Sequence, residues 1–314
     1  MSIPKYTNTG PVDTSVEPNL SNLAGKSVIV TGGASGLGKA YVEVFVAAGA
    51  YVTMGDLDET EGKALAEKYP GNAQFLSCDV CSWQDQVALF EAAASNSPHK
   101  SCDIVIANAG ICTLEVFFHS EDDPSGPPTE PSLNTIDVNL KGVIYTAKLA
   151  THYFRRQPAT DERDRCLILK SSLAGYVDFP GVPQYQATKF AVRGLMRSLR
   201  RMTFTEGIRV NIVAPWFIHT PLLPPPVWTH FQGRGIECAD ASDACKAMLR
   251  LACDKSINGR SLGVLPRNSK EGTLTSLAPA PVPNGYVDLM ADDYGEGEVL
   301  RRWEDSICRA SNAL

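Results

Sequence analysis

KSVIVTGGASGLGKAYVEVFVAAGA, residues 26–50, decides the fold. Ser27 to Thr31 is a short apolar run of the kind that forms a strand buried on both faces. It runs directly into TGGASGLG and then into a helix-like segment, AYVEVFVAAGA. Strand, glycine loop and helix in that order separate a dinucleotide-binding loop from a chance cluster of glycines. Gly32, Gly36 and Gly38 let the backbone turn tightly and approach a pyrophosphate, which then meets the positive end of the helix dipole.

Working outward, the next strand, Tyr51 to Gly55, ends in Asp56, 18 residues past the last loop glycine. An acid there is placed to accept hydrogen bonds from ribose hydroxyls and to repel a 2′-phosphate. The first base near the loop is Lys39, just beyond it. NAD is therefore expected, with NADP the less favoured alternative; capping of a helix starting near Glu59 is the competing role for Asp56. Further strands are expected at Gln74–Ser77, Asp103–Ala107, Cys166–Lys170, Arg209–Val213 and Ser261–Leu265, alternating with helices. The alternation predicts an α/β fold: a single-domain, Rossmann-type, doubly wound parallel sheet of about seven strands with helices on both faces. Residues 1–22 read as an N-terminal arm, 23–266 as the dinucleotide-binding domain with a Pro- and aromatic-rich loop at 215–238, and 267–314 as a C-terminal extension packed on the domain or a subunit interface. The acidic, Pro-rich stretch from Glu115 to Pro131 reads as a long surface loop.

A second stretch carries the chemistry. Ser172 precedes Tyr185 by thirteen residues, and Lys189 follows four later on a segment that reads as a helix after Pro183. Tyr185 and Lys189 then share a helix face. An ammonium about 4 Å from a phenol, at an effective dielectric of about 20, favours the phenolate by about 4 kcal/mol before desolvation. The Ser172 hydroxyl could hold the oxygen of an alcohol or carbonyl beside that phenol. A plain amphipathic core helix with Tyr and Lys on its rim is the structural alternative.

Composition narrows the classes. The 314 residues are 44% hydrophobic and 20% charged with net charge −6, which argues against a nucleic-acid surface. No apolar run reaches membrane-spanning length, and the first residues lack a signal-peptide layout. Nine scattered cysteines, with one C-x-x-C at Cys78 and Cys81 and no second pair, suggest reduced thiols in the cytoplasm and no metal site.

From about Gly25 to Leu265 the chain resembles the short-chain dehydrogenase/reductase family. The matches are TGGASGLG at 31–38, Asp56, Cys78-Asp79-Val80, Asn108-Ala109-Gly110, Asn139, Ser172 in SSLAG, YQATK at 185–189, and Pro215 with Thr220. Its loops and tail resemble fungal relatives of 15-hydroxyprostaglandin dehydrogenases that tailor natural products. The resemblance implies cofactor contacts from Gly32, Ser35, Gly36, Leu37, Gly38, Asp56, Leu57, Asp79, Val80, Asn108, Ala109, Gly110, Pro215, Ile218 and Thr220, together with Tyr185 and Lys189. It implies Tyr185 as general acid/base, Lys189 lowering its pKa, Ser172 polarising the substrate oxygen and Asn139 anchoring a relay water. It also implies a homodimer or homotetramer acting on a small molecule, an alcohol or a ketone. Pro215-Trp216 stands where the family has Pro-Gly, so Trp216 is expected either against cofactor or substrate or in the core. Phe117, Phe118, Trp216, Phe217, Trp228 and Phe231 point to a bulky apolar substrate; His119, His219 and His230 lie in or near the same loops. A redox-neutral cyclase or isomerase, and a non-catalytic dinucleotide sensor, are the alternatives on the same fold.

Overall fold

The computed structural model describes residues 6, 9–113, 126–127, 129–158, 160, 163–179, 181–233, 236–267 and 282–290. Phe117, Phe118, His119 and most of the 115–131 and 267–314 segments lie outside them. Seven parallel strands, β1 (Ser27–Thr31), β2 (Tyr51–Asp56), β3 (Ala73–Ser77), β4 (Ile104–Ala107), β5 (Cys166–Lys170), β6 (Arg209–Pro215) and β7 (Ser261–Val264), form one sheet with an eighth, β8 (Tyr286–Asp288), added antiparallel to β7. The order is β3-β2-β1-β4-β5-β6-β7-β8. All residues of β1, β4, β5 and β6 are buried, because helices cover both faces of the sheet. Each fully buried Val or Ile there contributes on the order of 1.5–3 kcal/mol.

The chain runs outward from β1 to β3, then returns to β4 on the other side of β1. That reversal opens a crevice at the carboxyl ends of β1 and β4, where open α/β sheets take ligands. Helix α1 (Gly36–Ala47) follows β1, α2 (Glu59–Lys68) follows β2 and α3 (Trp83–Asn96) follows β3. Before β5 the chain forms three helical pieces: α4 (Asn134–Ile136), a π-helical turn at Asp137–Gly142 and α5 (Val143–Arg156). α6 (Pro183–Thr203) starts with Pro at its first turn, where a missing N–H costs nothing. The 215–238 stretch is not all loop; it holds α7 (Pro225–Gly233) before α8 (Ala241–Cys253).

α8 packs beside α1, although β6→β7 steps across the sheet in the opposite sense to β1→β2. That connection therefore has the opposite hand to the usual right-handed crossover. Between β6 and α8 the chain also runs back along the carboxyl edge, where Thr220 meets Gly36 of the glycine loop. β8 is secured by the buried pair of Asp288 and Arg260, 2.7 Å apart, and by the Val12 amide, which donates to Asp288 at 2.8 Å. Among the described residues no helix is long and apolar enough to cross a membrane, and no group of three metal-ligating side chains occurs.

Candidate active site

The glycine loop is a backbone-on-backbone contact. Gly32 and Gly36 have φ of +65° and +51°, the left-handed region that a Cβ disfavours. A Cβ on Gly38 would sit 1.8 Å from the Gly32 carbonyl oxygen, so α1 starts directly on the loop. Asn108, just after β4, clamps the other side. Its Nδ2 donates to the Thr31 and Gly32 carbonyls, both at 3.0 Å, and its own amide donates to Thr31 Oγ1 at 3.1 Å. Ser35 precedes α1 without a side-chain capping bond, which leaves the first-turn amides for a ligand.

Asp56, at the end of β2, stands beside the loop. One carboxylate oxygen accepts from the Ala34 amide at 2.9 Å and the other from the Asp58 amide at 3.2 Å. Capping of α2 falls instead to Asp58, which accepts from the Glu61 amide. Lys39 is paired with Glu61 at 3.1 Å. Asp79 accepts from the Cys81 amide at 2.8 Å, and Val80 packs where Gly142 leaves room for it. A cavity of about 520 Å³ runs over this surface. Gly32, Ser35, Gly36, Leu37, Gly38, Asp56 and Leu57 line it, with Asp79, Val80, Asn108, Ala109, Gly110 and Thr220. The cradle of glycines, open helix amides and a terminal acid fits a dinucleotide.

Tyr185 and Lys189 line the same cavity. Ser172 is not among the lining residues; it is near enough to Tyr185 to act on that phenol's pKa, and its hydroxyl donates to the Pro215 carbonyl at 3.3 Å. Lys189 is 3% exposed, and its Nζ donates to the Lys170 carbonyl at 3.2 Å while lying 5.2 Å from the Tyr185 ring centroid. Burial pulls its pKa down to about 8. The phenol of Tyr185 moves the other way from the sequence expectation. Burial raises its pKa, Cys112 adds to the rise, and only the Ser172 hydrogen bond opposes it.

Asn139 is fully buried in the π-helical turn. Its side chain accepts from the Ile111 amide and donates to the Ile111 carbonyl, both at 2.8 Å. The amide is thus spent on fixing the segment after β4, and a relay water would have to use the backbone instead. A helix loosened by i→i+5 bonding often marks a functional position.

The aromatic residues of the cover pack on one another, and Trp216 takes the core position of its two expected ones. Trp216, Phe217 and Trp228 do not line the cavity. Trp216 is 8% exposed and donates Nε1–H to the Glu237 carbonyl at 3.1 Å; Trp228 donates to the Leu223 carbonyl at 3.0 Å. Phe217 packs on Trp216 and Phe231 with ring centroids 4.6 and 4.3 Å away, and His219 lies 4.8 Å from Trp228. The rings bury one another, which satisfies both their apolar area and their indole N–H groups. Pro215 and Ile218 are also absent from the lining; Ile218 bridges to Ala239. Lining residues not foreseen from sequence include Ile111, Cys112, Thr113, Val138, Lys170, Ser171, Pro221 and Leu222. The first three directly follow Asn108-Ala109-Gly110, so continuing that motif would have found them.

A sequence profile for the family described as "short chain dehydrogenase" matches residues 26–226. The chain is 40% identical over 273 residues to a 5′-hydroxyaverantin dehydrogenase of Dothistroma septosporum, covering 81% of this chain and 88% of that protein. It is 36% identical over 292 residues to the 5′-hydroxyaverantin dehydrogenase stcG of Emericella nidulans, covering 84% and 90%. A solved 3-ketoacyl-(acyl-carrier-protein) reductase from Brucella melitensis complexed with NADH superposes with a TM-score of 0.67 at 24% identity, over 77% of this chain and 97% of that one. That likeness is one of fold.

Proposed function

The chain belongs to the short-chain dehydrogenase family, and from that premise we propose an NAD(H)-dependent enzyme that interconverts a secondary alcohol and a ketone on a bulky, apolar small molecule. At the coarser level it is an NAD(P)-dependent oxidoreductase of small organic molecules, close to fungal secondary-metabolite tailoring enzymes. What carries the proposal is that Tyr185 and Lys189, with Ser172 near Tyr185, line the same cavity as the glycine loop and Asp56. The relatives' names support a hydroxyl-bearing substrate. Ile111, Val138 and Leu222 supply apolar wall to the same cavity. Trp216, the motive for a redox-neutral alternative, lies outside the cavity wall.

A bound nicotinamide dinucleotide supplies or accepts hydride. The chain's own residues handle the proton. With its pKa raised by burial, Tyr185 carries its proton at neutral pH and is ready to give it to a ketone oxygen. In the reverse direction it must first lose that proton before it takes one from an alcohol. Ser172 is near enough to the same phenol to act on its pKa and so can steady the substrate oxygen beside it. Lys189, anchored on the Lys170 carbonyl, holds a positive charge at this end below its lowered pKa. Asp56 disfavours a 2′-phosphate, and the nearest base, Lys39, is already paired. Exposed Phe190 on α6 and Ile144 on α5 offer the apolar surface for a homodimer or homotetramer contact.

Quenching of the four tryptophans during titration with NADH and with NADPH tests the cofactor assignment. NADH should bind at least about tenfold tighter, a difference of about 1.4 kcal/mol. Tighter NADPH binding would overturn the role of Asp56. Binding of neither would overturn the enzyme assignment itself.

A further inference from the structure

Lys170 ends β5 and lines the cavity together with the glycine loop, Tyr185 and Lys189. It is 9% exposed. A lysine at the end of a central parallel strand is seldom buried without a partner that compensates its charge. Here its Nζ donates to the Tyr41 hydroxyl at 2.7 Å and lies 4.9 Å from the centroid of that ring. Tyr41 is fully buried on α1. The Lys170 carbonyl receives Lys189 Nζ, which places Lys170 at the reaction end, three strands away from Asp56 on β2.

The ionisable groups facing the Lys170 amine are Tyr41 from α1, Cys245 from α8 and Lys189 from α6. None of the three is a carboxylate; Glu43 and Asp240 act on Cys245 behind it. Burial, reinforced by the charge on Lys189, holds the Lys170 pKa well below the ordinary lysine range. An amine so placed gains a proton when negative charge enters the cavity. A nicotinamide dinucleotide brings two phosphate charges in either redox state, but only the oxidised form adds a positive ring.

Resting on the dinucleotide assignment above, we propose that Lys170 is a charge-sensing residue of the cofactor cavity. Held by Tyr41, its amine takes a proton from solvent when a dinucleotide occupies the cavity, and it thereby holds the reduced form in preference to the oxidised one. The sign follows from linkage. Proton uptake on binding means that binding tightens as pH falls through the window between the free and bound proton affinities. The oxidised form's ring cation opposes that uptake, so the preference for the reduced form weakens as pH rises.

The test is titration calorimetry of the full chain with NADH and with NAD, in buffers of different ionisation enthalpy, between about pH 6 and 9. NADH should draw in more protons than NAD, and Lys170→Met should remove the difference. The ratio of the NAD and NADH dissociation constants should fall about tenfold in Lys170→Met, equivalent to about 1.4 kcal/mol. Methionine keeps the bulk and leaves no buried charge unpaired. Tyr41→Phe should retain uptake with its pH midpoint moved. The wild-type proton counts need no variant: NADH and NAD binding with equal counts would overturn the proposal while the dinucleotide assignment stands. Binding of neither by the wild type would overturn both.

Discussion

The two walls of the cavity are built on different principles. The glycine wall is backbone against backbone, with Gly38 on the Gly32 carbonyl and Asn108 holding both Thr31 and Gly32. The wall after β6 is covered by side chains that hold one another, Trp216 on Phe217 and Phe217 on Phe231, each indole N–H tied to a carbonyl of the same segment. One wall presents open donors to a ligand. The other satisfies its own groups and presents only Thr220, Pro221 and Leu222 to the cavity. A wall that has satisfied itself contributes shape and stability, whereas a wall with open amides contributes binding.

Tyr185, the proposed general acid/base, lines the same cavity, and its removal should have the largest effect. Tyr185→Phe should lower kcat by about 10²–10⁴-fold, the range for loss of a general acid/base, with NADH affinity kept within about threefold. Steady-state rates and fluorescence titration on the same preparation separate the two. Turnover within tenfold of wild type would remove Tyr185 from the chemistry.

The self-packed wall makes the next largest claim. Trp216→Ala should lower stability by about 3–5 kcal/mol, the usual loss for a buried aromatic, with NADH affinity again within about threefold. Urea unfolding followed by circular dichroism reads the first and titration the second. Weakened NADH binding at unchanged stability would mean that Trp216 faces the ligand, and the contrast between the walls would fail.

The same contrast governs what the sequence could disclose. The glycine loop was legible because its function needs absent side chains and particular φ angles, which only glycine supplies at no cost, so residue identity alone carries the signal. Asp56, Tyr185 and Lys189 were legible through their spacing on regular elements. The direction in which Trp216 and Trp228 point depends on contacts with residues up to 40 positions away, such as Phe179, and no local period encodes that. Lys170 was hidden for a related reason. As the last residue of an apolar strand it resembles an ordinary solvent-facing terminus, and only the packing of α1 brings Tyr41 over it. β8 is three residues long, too short to show alternation among prolines and glycines. The π-helical turn at Asn139 has no recognisable composition either, and the bonds of Asn139 to Ile111 join residues 28 positions apart, which no local pattern encodes.

The smallest effect separates the walls by pH. The glycine wall is backbone and does not titrate near neutrality, so a pH dependence of kcat/KM for the dinucleotide should arise at the reaction end. Burial sets the pKa of Lys189 to about 8, so its ammonium is present below that pH and lost above it. kcat/KM should therefore fall about tenfold between roughly pH 7 and 9, because this parameter follows the protonation of the unliganded enzyme. Burial moves the Tyr185 pKa upward, away from this window. Lys189→Arg keeps the positive charge at every accessible pH. That variant should be slower, with the limb displaced beyond pH 9. An unchanged limb in Lys189→Arg would assign it to another group, with Lys170 the next to substitute.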